Sequence, residues 1–581
     1  MAERLSSEWQ RAVEDIVGGS TGDAQESQTL EFKSEATDLK TFVDVAEAAA
    51  CLANASGGVV VVGIEDDVPG KDGLSGTALD EHLVQGEIYR RTQPPLMVSV
   101  LAAEVEGARL LVVTVPRGME PHADTKGVVR KRFGKACNTL MPQHVATLSQ
   151  ERRGVDLSAV PTDRILADVS AAAIEVAREQ LGSLPDRRSE LAELSVPDLL
   201  RALGLVAEDG AHLTVAGELL FCRPASATQF AIVYQYRQTP GGEPQHLERL
   251  AQPVLRAHLR AQDLVAARRI TTPLSLPNGQ QLALEDFPRE AVREALANAL
   301  MHQDLSRASP VDITHSPEQL AIASPGPLVD GVTPENILTV PSRPRNRSLA
   351  QAFRTLGLAE EAGVGVDRMY REMIRAGRDV PRWEASPDLV RVGLGGGAPL
   401  TPLARFVATL DSREREDTDT MLVLLALTRT RVVNGPRLSA VLQKSSDEVA
   451  SILGRLAHET RLIEATRETA RSATPNYRLR SDVVTALGSA LSYRRRTKDD
   501  IDRRIIAHVQ EYHRVTNSTV RNLLEISTPR ASAILRDLCD REILEKTSSA
   551  SRGPTVEYGP GPEFATHAGP EHPDQFRLFD R

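Results

Sequence analysis

Phe287-Pro-Arg-Glu-Ala-Val-Arg-Glu-Ala-Leu-Ala-Asn-Ala-Leu-Met-His-Gln-Asp304 carries Glu290, Glu294, Asn298 and His302 at intervals of four. Residues four apart stack on one face of an α-helix, so the spacing predicts a helix with a polar ridge. Ala291, Ala295, Leu296, Ala299 and Leu300 form the other stripe and are expected to pack inward. A carboxylate and an amide one turn apart are a donor pair that can hold Mg²⁺ and orient a water molecule. The string sits near the start of an α/β unit expected over about 282–393, and Leu394-Gly-Gly-Gly-Ala-Pro-Leu-Thr-Pro402 reads as the linker that ends it.

On the N-terminal side, residues 155–280 are expected to carry helices at Leu166–Leu181 and Val196–Leu203 and a strand at Gln229–Tyr236. Leu213–Phe221 reads as a helix running into a strand. Residues 1–25 read as a helix and a polar lead-in. A helix at Asp38–Ala53 precedes the turn Asn54-Ala-Ser-Gly-Gly58, and the apolar run Val59–Ile64 reads as a buried strand. Further strands are expected at Met97–Val105, Leu110–Val115 and Val128–Lys131.

Beyond the linker the chain reads as two similar helical units with short β segments, at 415–480 and 498–560. In the second, Asp500–His513 is amphipathic through Ile501, Ile505, Ile506 and Val509, and a short helix follows from Asn517 to Leu524. Ser527 or Thr528 can cap a third helix, Arg530–Arg541, with Pro529 near its start. That helix is expected to present Arg530, Ser532 and Arg536 outward while Ala533, Ile534 and Leu538 pack inward. Ile543–Lys546 and Thr555–Tyr558 then form a hairpin around a basic tip at Arg552. The order resembles a winged helix-turn-helix, which implies a third helix in the major groove of double-stranded DNA, with Arg530, Arg536 and Arg552 as contacts. The 415–480 unit repeats the order, with Ser445–His458 as third helix and Leu462–Tyr477 as wing; its less basic third helix suits dimerisation.

At 581 residues the chain is too long for one core, and three to five domains are expected. Net charge is −10 and the isoelectric point about 5.8, yet phosphate contacts depend on local fields. Basic residues cluster at Arg130, Lys131, Arg132 and Lys135, at Arg343, Arg345 and Arg347, and at Arg494, Arg495, Arg496 and Lys498. No apolar run reaches the roughly 18–20 residues of a membrane-spanning helix, and the polar, acidic start does not read as a secretory signal. A cytoplasmic protein without a membrane partner is therefore expected. Cys51, Cys137, Cys222 and Cys539 lack metal-ligand spacing, and three of them, in apolar or helical contexts, read as small core residues of a reducing compartment.

Two resemblances add to this reading. Glu26-Ser-Gln-Thr-Leu-Glu-Phe-Lys33, Ala53-Asn-Ala-Ser-Gly-Gly-Val-Val-Val-Val-Gly-Ile-Glu-Asp-Asp67 and Val128-Val-Arg-Lys-Arg-Phe-Gly134 resemble, in order, the AlbA-like domain of the Schlafen type. The likeness implies nucleic-acid binding, to DNA or RNA, with Lys33, Arg130 and Arg132 as phosphate contacts. Nuclease members of that group bind a divalent ion through two glutamates and an aspartate; the corresponding residues here are Glu26, Glu31 and Asp66. The alternative is a Glu31–Lys33 structural pair with Asp66 in a turn.

The Phe287–Asp304 string, with Ile322-Ala-Ser-Pro-Gly-Pro-Leu328, Ser342-Arg-Pro-Arg-Asn-Arg347 and Leu358-Ala-Glu-Glu-Ala-Gly-Val-Gly-Val-Asp-Arg368, resembles the GHKL-type ATP-binding domain of RecG-like putative transcriptional regulators. The likeness implies ATP and Mg²⁺ as cofactors. Asn298 would hold the metal and Glu294 the attacking water, with Gly326 toward adenine and Gly363 and Gly365 toward the phosphates. The family's His-Arg-Asp-Tyr is His302-Gln-Asp-Leu305 here, its Arg-Asn-Pro is Arg345-Asn-Arg347, and no aspartate accompanies Ser324-Pro-Gly326. Binding is thus expected over hydrolysis. A P-loop helicase is excluded, because no G-x-x-x-x-G-K-[ST] occurs.

The expected architecture is multidomain, α/β and α+β. It comprises a helical lead-in (1–25), an AlbA-like domain (26–152) and a GHKL-like α/β sandwich (153–395), then two winged-helix-like domains (415–480, 498–560) and a tail (561–581). The expected function is a DNA-binding transcriptional regulator responsive to nucleotide and working as a homo-oligomer; the alternative is a metal-dependent Schlafen-like nuclease.

Overall fold

The computed structural model describes residues 2–36, 38–226, 231–276, 279–359, 364–491, 498–524, 528–548 and 556–564. Contacts divide the chain into two compact units. One comprises residues 1–400 with 411–418 and 440–444; the other comprises 401–410, 419–439 and 445–581.

In the first unit, β1 (Leu30–Lys33), β2 (Gly58–Val62), β3 (Ser99–Val105) and β4 (Ala108–Val115) form a mixed sheet in the order β1-β2-β4-β3. β2 is Gly-Val-Val-Val-Val and is buried throughout. Its alternation sends Val60 and Val62, with Leu111 and Val113, against the helices Asp38–Ala53 and Glu81–Arg91. Val59 and Val61 face the other way, with Phe32 and Leu110, onto Trp9, Val13 and Ile16 of the helix Ala2–Val17. A sheet covered on both faces needs apolar residues at every position, hence the unbroken valine run. The N-terminal helix is therefore part of this core.

The expected closing strand shifts. β5 (Arg130–Phe133) pairs with β6 (Ala136–Thr139) as a hairpin apart from that sheet. Cys51 and Cys137 form a disulfide that ties the Asp38–Ala53 helix to β6, which corrects the expectation of a reducing compartment drawn from the cysteines. Cys222 and Cys539 are free.

β7 (Pro161–Ile165) pairs with β8 (His212–Thr214). β8 enters the helix Val215–Phe221, so the expected order of helix then strand is reversed here. The Thr214 hydroxyl accepts from the Gly217 N–H at 3.3 Å and starts the helix at that point. The expected helix at Leu166 begins at Ala171, after a 3₁₀ turn over Leu166–Asp168. A six-stranded sheet follows, built from β9 (Ile232–Arg237), β10 (Pro244–Leu250), β13 (Val311–His315), β14 (Gln319–Pro325), β15 (Arg382–Ala385) and β16 (Leu389–Gly395). Its order is β10-β9-β13-β14-β16-β15. Gln229 and Phe230, expected to open the strand that becomes β9, lie outside the described residues. β11 (Thr271–Ser275) and β12 (Gln281–Glu285) form a separate hairpin. The helices Val254–Ala266, Arg289–His302 and Gly365–Arg375 share one core with the sheet through Leu255, Ala295, Leu296, Met369, Ile313 and Ile322.

The second unit carries a β17 (Ile463–Ala465) and β18 (Tyr477–Leu479) hairpin after the helix Ser446–His458, which opens on a Ser445–Glu448 capping box. Further along come helices Lys498–Tyr512, Asn517–Leu524 and Thr528–Asp540. β19 (Val515–Thr516), β20 (Leu544–Lys546) and β21 (Glu557–Pro560) form a sheet in the order β19-β21-β20. Ile505, Ile506, Val509, Leu524, Leu535 and Leu538 form the core of this segment. The inward stripe of Thr528–Asp540 is Ala531, Leu535 and Leu538, with Ile534 partly buried; Ala533 is exposed, contrary to expectation. An apolar stripe through Ala531 runs at i, i+4 and i+7, which leaves Ala533 off it. Among the described residues no helix is long and apolar enough to cross a membrane.

Candidate functional site

The helix Arg289–His302 buries Ala291, Val292, Ala295, Leu296 and Leu300 in the sheet's core and turns its polar ridge to a cavity of about 140 Å³. Glu294, Asn298 and His302, three of the four residues expected on one helix face, line it, while Glu290 pairs with Arg293. β14 supplies Ile322 and Ser324, the segment after it supplies Gly326–Val329 and Val332, and Gly365 and Trp383 complete much of the wall.

Glu294 is 1% exposed. Its Oε1 accepts from Arg293 Nη2 at 3.1 Å, and Arg293 also pairs with Glu290 at 2.9 Å. Gly365 opens the helix Gly365–Arg375 against this carboxylate: a Cβ at 365 would lie 2.5 Å from Glu294 Oε2 and 3.9 Å from Asn298 Nδ2. Glycine leaves that space open to the acid and the amide at the start of this helix. Glu294, Asn298, Gly326 and Gly365 thus come together around one cavity, while Gly363 lies outside the described residues.

Gly326 has φ +98°, and a Cβ there would meet Asp304 Cβ at 2.6 Å. The Ser324 hydroxyl donates to Ala299 O at 2.7 Å and so braces the ridge helix. Burial pushes the His302 imidazole down to about 4, and the nearby Arg345 and Arg354 guanidiniums push the same way, so the ring is neutral at pH 7.

Two roles in Arg343-Pro-Arg-Asn-Arg347 escaped the sequence reading. Asn346 Nδ2 donates to Met301 O and Gln303 O, at 3.1 and 2.8 Å, and thereby caps the end of the ridge helix. Arg345 donates to His302 O, to Pro327 O at 2.8 Å and to Glu151 at 2.6 Å. Arg343 and Arg354 also line the cavity. The cluster of like charges was the signal, but its division into clamps and cavity wall depends on partners distant in sequence.

In the N-terminal region Asn54 is fully buried; its amide donates to His122 O and Arg130 O, at 2.7 and 2.8 Å, and its Oδ1 accepts from the His122 N–H. Gly58 follows with φ +156°, and a Cβ there would meet Thr29 O at 2.3 Å. The Asn-x-x-Gly-Gly pattern thus anchors β5 and lets β1 approach β2.

Arg132, expected on a phosphate, is 1% exposed and is instead an internal clamp. It donates to Glu31 Oε2, to Ser27 O at 2.8 Å and to Leu30 O at 3.0 Å. A buried guanidinium with these acceptors is paired rather than presented to solvent. Lys33 Nζ takes the other Glu31 oxygen at 2.5 Å, so Glu31 is flanked by two cations. Arg130 pairs with Asp124 at 2.6 Å and with Glu47 at 3.4 Å and remains partly exposed.

Glu26 accepts from the Phe32 N–H at 3.1 Å. Burial raises its carboxyl above the usual range, a shift that the Phe32 N–H, Lys33 and Arg132 moderate and Asp66 reinforces. Asp66 is likewise raised by burial, against the pull of Lys33. Among the described residues no group of three or more His, Cys, Asp or Glu side chains is arranged to hold a metal ion. On the helix Thr528–Asp540, Arg530 and Arg536 are exposed; Arg552 lies outside the described residues.

Residues 26–141 match the family model described as Schlafen, AlbA_2. The Schlafen AlbA_2 match contains Glu26, Glu31, Lys33, Asn54, Asp66, Arg130 and Arg132, and it ends as the β5–β6 hairpin closes. Residues 308–394 match the model described as Putative ATP-dependent DNA helicase recG C-terminal. That second match begins just past the ridge helix and covers β13–β16, Gly326 and Gly365. A solved structure, the DIP2311 protein from Corynebacterium diphtheriae, is similar at 26% identity and a TM-score of 0.50, over 83% of this chain and 99% of that one. No curated protein matches the chain.

Proposed function

We propose that the chain is a cytoplasmic DNA-binding transcriptional regulator whose hold on double-stranded DNA responds to ATP and Mg²⁺ in the central cavity. The carrying observation is the cradle of Glu294, Asn298 and Gly365, where a buried carboxylate, an amide one turn along and the start of the Gly365–Arg375 helix meet. These donors fit a nucleotide–magnesium pair, because the helix end favours phosphate and the amide oxygen suits a hard cation. A GHKL-type reading assigns Asn298 to the metal, Glu294 to a water beside the terminal phosphate, Gly326 to the adenine side and Gly365 to the phosphates. When bound, Mg²⁺ would supply charge neutralisation to the phosphates. The Arg293–Glu294 contact pins the acid in place, which favours binding over turnover.

The DNA-reading part of the proposal is a winged helix over 498–560. Its support is the run of three helices closed by the β19-β21-β20 sheet, with Arg530 and Arg536 exposed on the third helix. The Schlafen AlbA_2 region adds a sequence-tolerant hold on DNA or RNA through Lys33 and Arg130. Metal-dependent cleavage by Glu26, Glu31 and Asp66 is disfavoured there, since both Glu31 oxygens are taken up by Arg132 and Lys33.

The test mixes full-length protein with pooled duplex DNA and RNA, with and without Mg²⁺ and ATP. Selective duplex retention that weakens steeply with salt and changes with Mg²⁺–ATP is expected. Retention of the same duplexes after deletion of 499–581 would remove the winged-helix assignment, and cleavage in Mg²⁺ alone would favour the nuclease.

A further inference from the structure

Three cations converge on one carboxylate. Asp330, 4% exposed, accepts from Lys131 Nζ at 2.8 Å through Oδ1, and from Arg117 Nη2 at 2.7 Å and Arg152 Nε at 3.1 Å through Oδ2. Its backbone N–H donates to Glu151 Oε2 at 3.0 Å, but Glu151 is already matched by Arg345 at 2.6 Å. The hub therefore holds more positive than negative charge. Burial pushes the Asp330 carboxyl up, yet Lys131 and Arg152 outweigh it and hold the group below the usual carboxylate range.

The three cations differ in freedom. Arg152 is buried, and its Nη2 is also fixed on Ala53 O and Ala55 O at 3.0 and 3.3 Å. Lys131 and Arg117 keep 16% and 37% of their side-chain surface in solvent, so an outside anion can reach them. Lys131 lies on β5 and Arg117 just past β4, both in the Schlafen AlbA_2 region. Asp330 comes from the far side: its neighbours Leu328, Val329 and Val332 wall the central cavity. One short segment thus walls the cavity and pairs with two basic side chains of the N-terminal region.

We propose that Asp330 is a latch that competes with nucleic-acid phosphate for Arg117 and Lys131, so that nucleic acid at the N-terminal region and a ligand in the cavity oppose each other. The inference rests on the nucleic-acid reading above. Phosphate at Arg117 and Lys131 replaces the Asp330 carboxylate and loosens the 327–332 segment. A cavity ligand packs that segment closed and keeps Asp330 on its partners. By linkage, each ligand weakens the other by the same factor.

The test measures binding of full-length protein to a fluorescein-labelled 30-base-pair duplex of mixed sequence across a KCl series, with and without a non-hydrolysable ATP analogue and Mg²⁺. Asp330→Asn frees both cations. It should tighten duplex binding by roughly three- to tenfold and steepen the salt slope by about 0.9 for each phosphate gained. The analogue should weaken wild-type binding by about fivefold or more and leave D330N unaffected. The paired variant R117Q/K131Q should bind more weakly and lose its response to the analogue, and it provides the reading if D330N does not fold. Equal affinity, slope and analogue response in wild type and D330N overturn the latch. If wild type binds no duplex while D330N does, the winged-helix assignment falls and the latch stands; if neither binds, both fall.

Discussion

Gly365 faces Glu294 so closely that a single methyl group at 365 would lie 2.5 Å from the Glu294 Oε2. This contact makes Gly365→Ala a direct probe of the cavity. The Glu294 carboxylate, the far end of a flexible side chain, must turn away from the new methyl group and so leave its place in the cavity. Affinity for the magnesium complex of an ATP analogue, read by calorimetry, should fall by about tenfold or more, equivalent to about 1.4 kcal/mol. Unchanged affinity would detach the ligand from this end of the cavity.

Arg132 belongs to the fold, and its removal should register as lost stability. Arg132→Met leaves Glu31 buried without its inner partner, and breaking a buried pair typically costs about 3–5 kcal/mol. Urea unfolding should show that loss, and the double variant with Glu31→Gln should recover much of it. A stable R132M that binds nucleic acid poorly would return Arg132 to the surface role.

The central core is expected to be sensitive to mild acid. Burial pushes the His258 and His315 imidazoles down to about 4, with Arg293 and Arg268 respectively adding to the effect. The unfolded histidines titrate near 6.5, so between about 4 and 6.5 the unfolded chain binds more protons than the folded one. Stability should be flat above that window and fall as pH drops through it, by at most about 1.4 kcal/mol per pH unit for each histidine. Identical urea midpoints at pH 7 and pH 5 would contradict this.

Arg530 and Arg536 are exposed on the helix Thr528–Asp540. Replacing either with alanine should leave the melting temperature unchanged and weaken a specific duplex by about 1–3 kcal/mol, with relaxed preference at one base position. Uniform weakening across all sequences would recast them as backbone contacts.

Local periodicity carried much of the fold. The helix Asp38–Ala53 lies where its pattern placed it, and the polar ridge of Glu294, Asn298 and His302 lines a cavity as its spacing implies. Features set by distant partners were hidden. Arg132 stands in a run of surface-like charge, and its acceptor Glu31 lies 101 residues away. On Thr528–Asp540 the inward placing held for Leu538 and in part for Ile534 but not for Ala533, because a small alanine fits a buried or an exposed position about equally well and carries little signal. At Leu213–Phe221 the same apolar letters suit strand or helix, and the Thr214 cap decides where one becomes the other.

The disulfide between Cys51 and Cys137 closes a covalent ring whose two cysteines are 86 residues apart. The ring encloses β2, the Glu81–Arg91 helix, β3, β4 and β5. A protease that cuts once inside it, for example at the exposed Met119, leaves both fragments joined. Such a nick would be silent on a non-reducing gel and appear as two bands once thiol is added, so the bond can be read from electrophoresis alone.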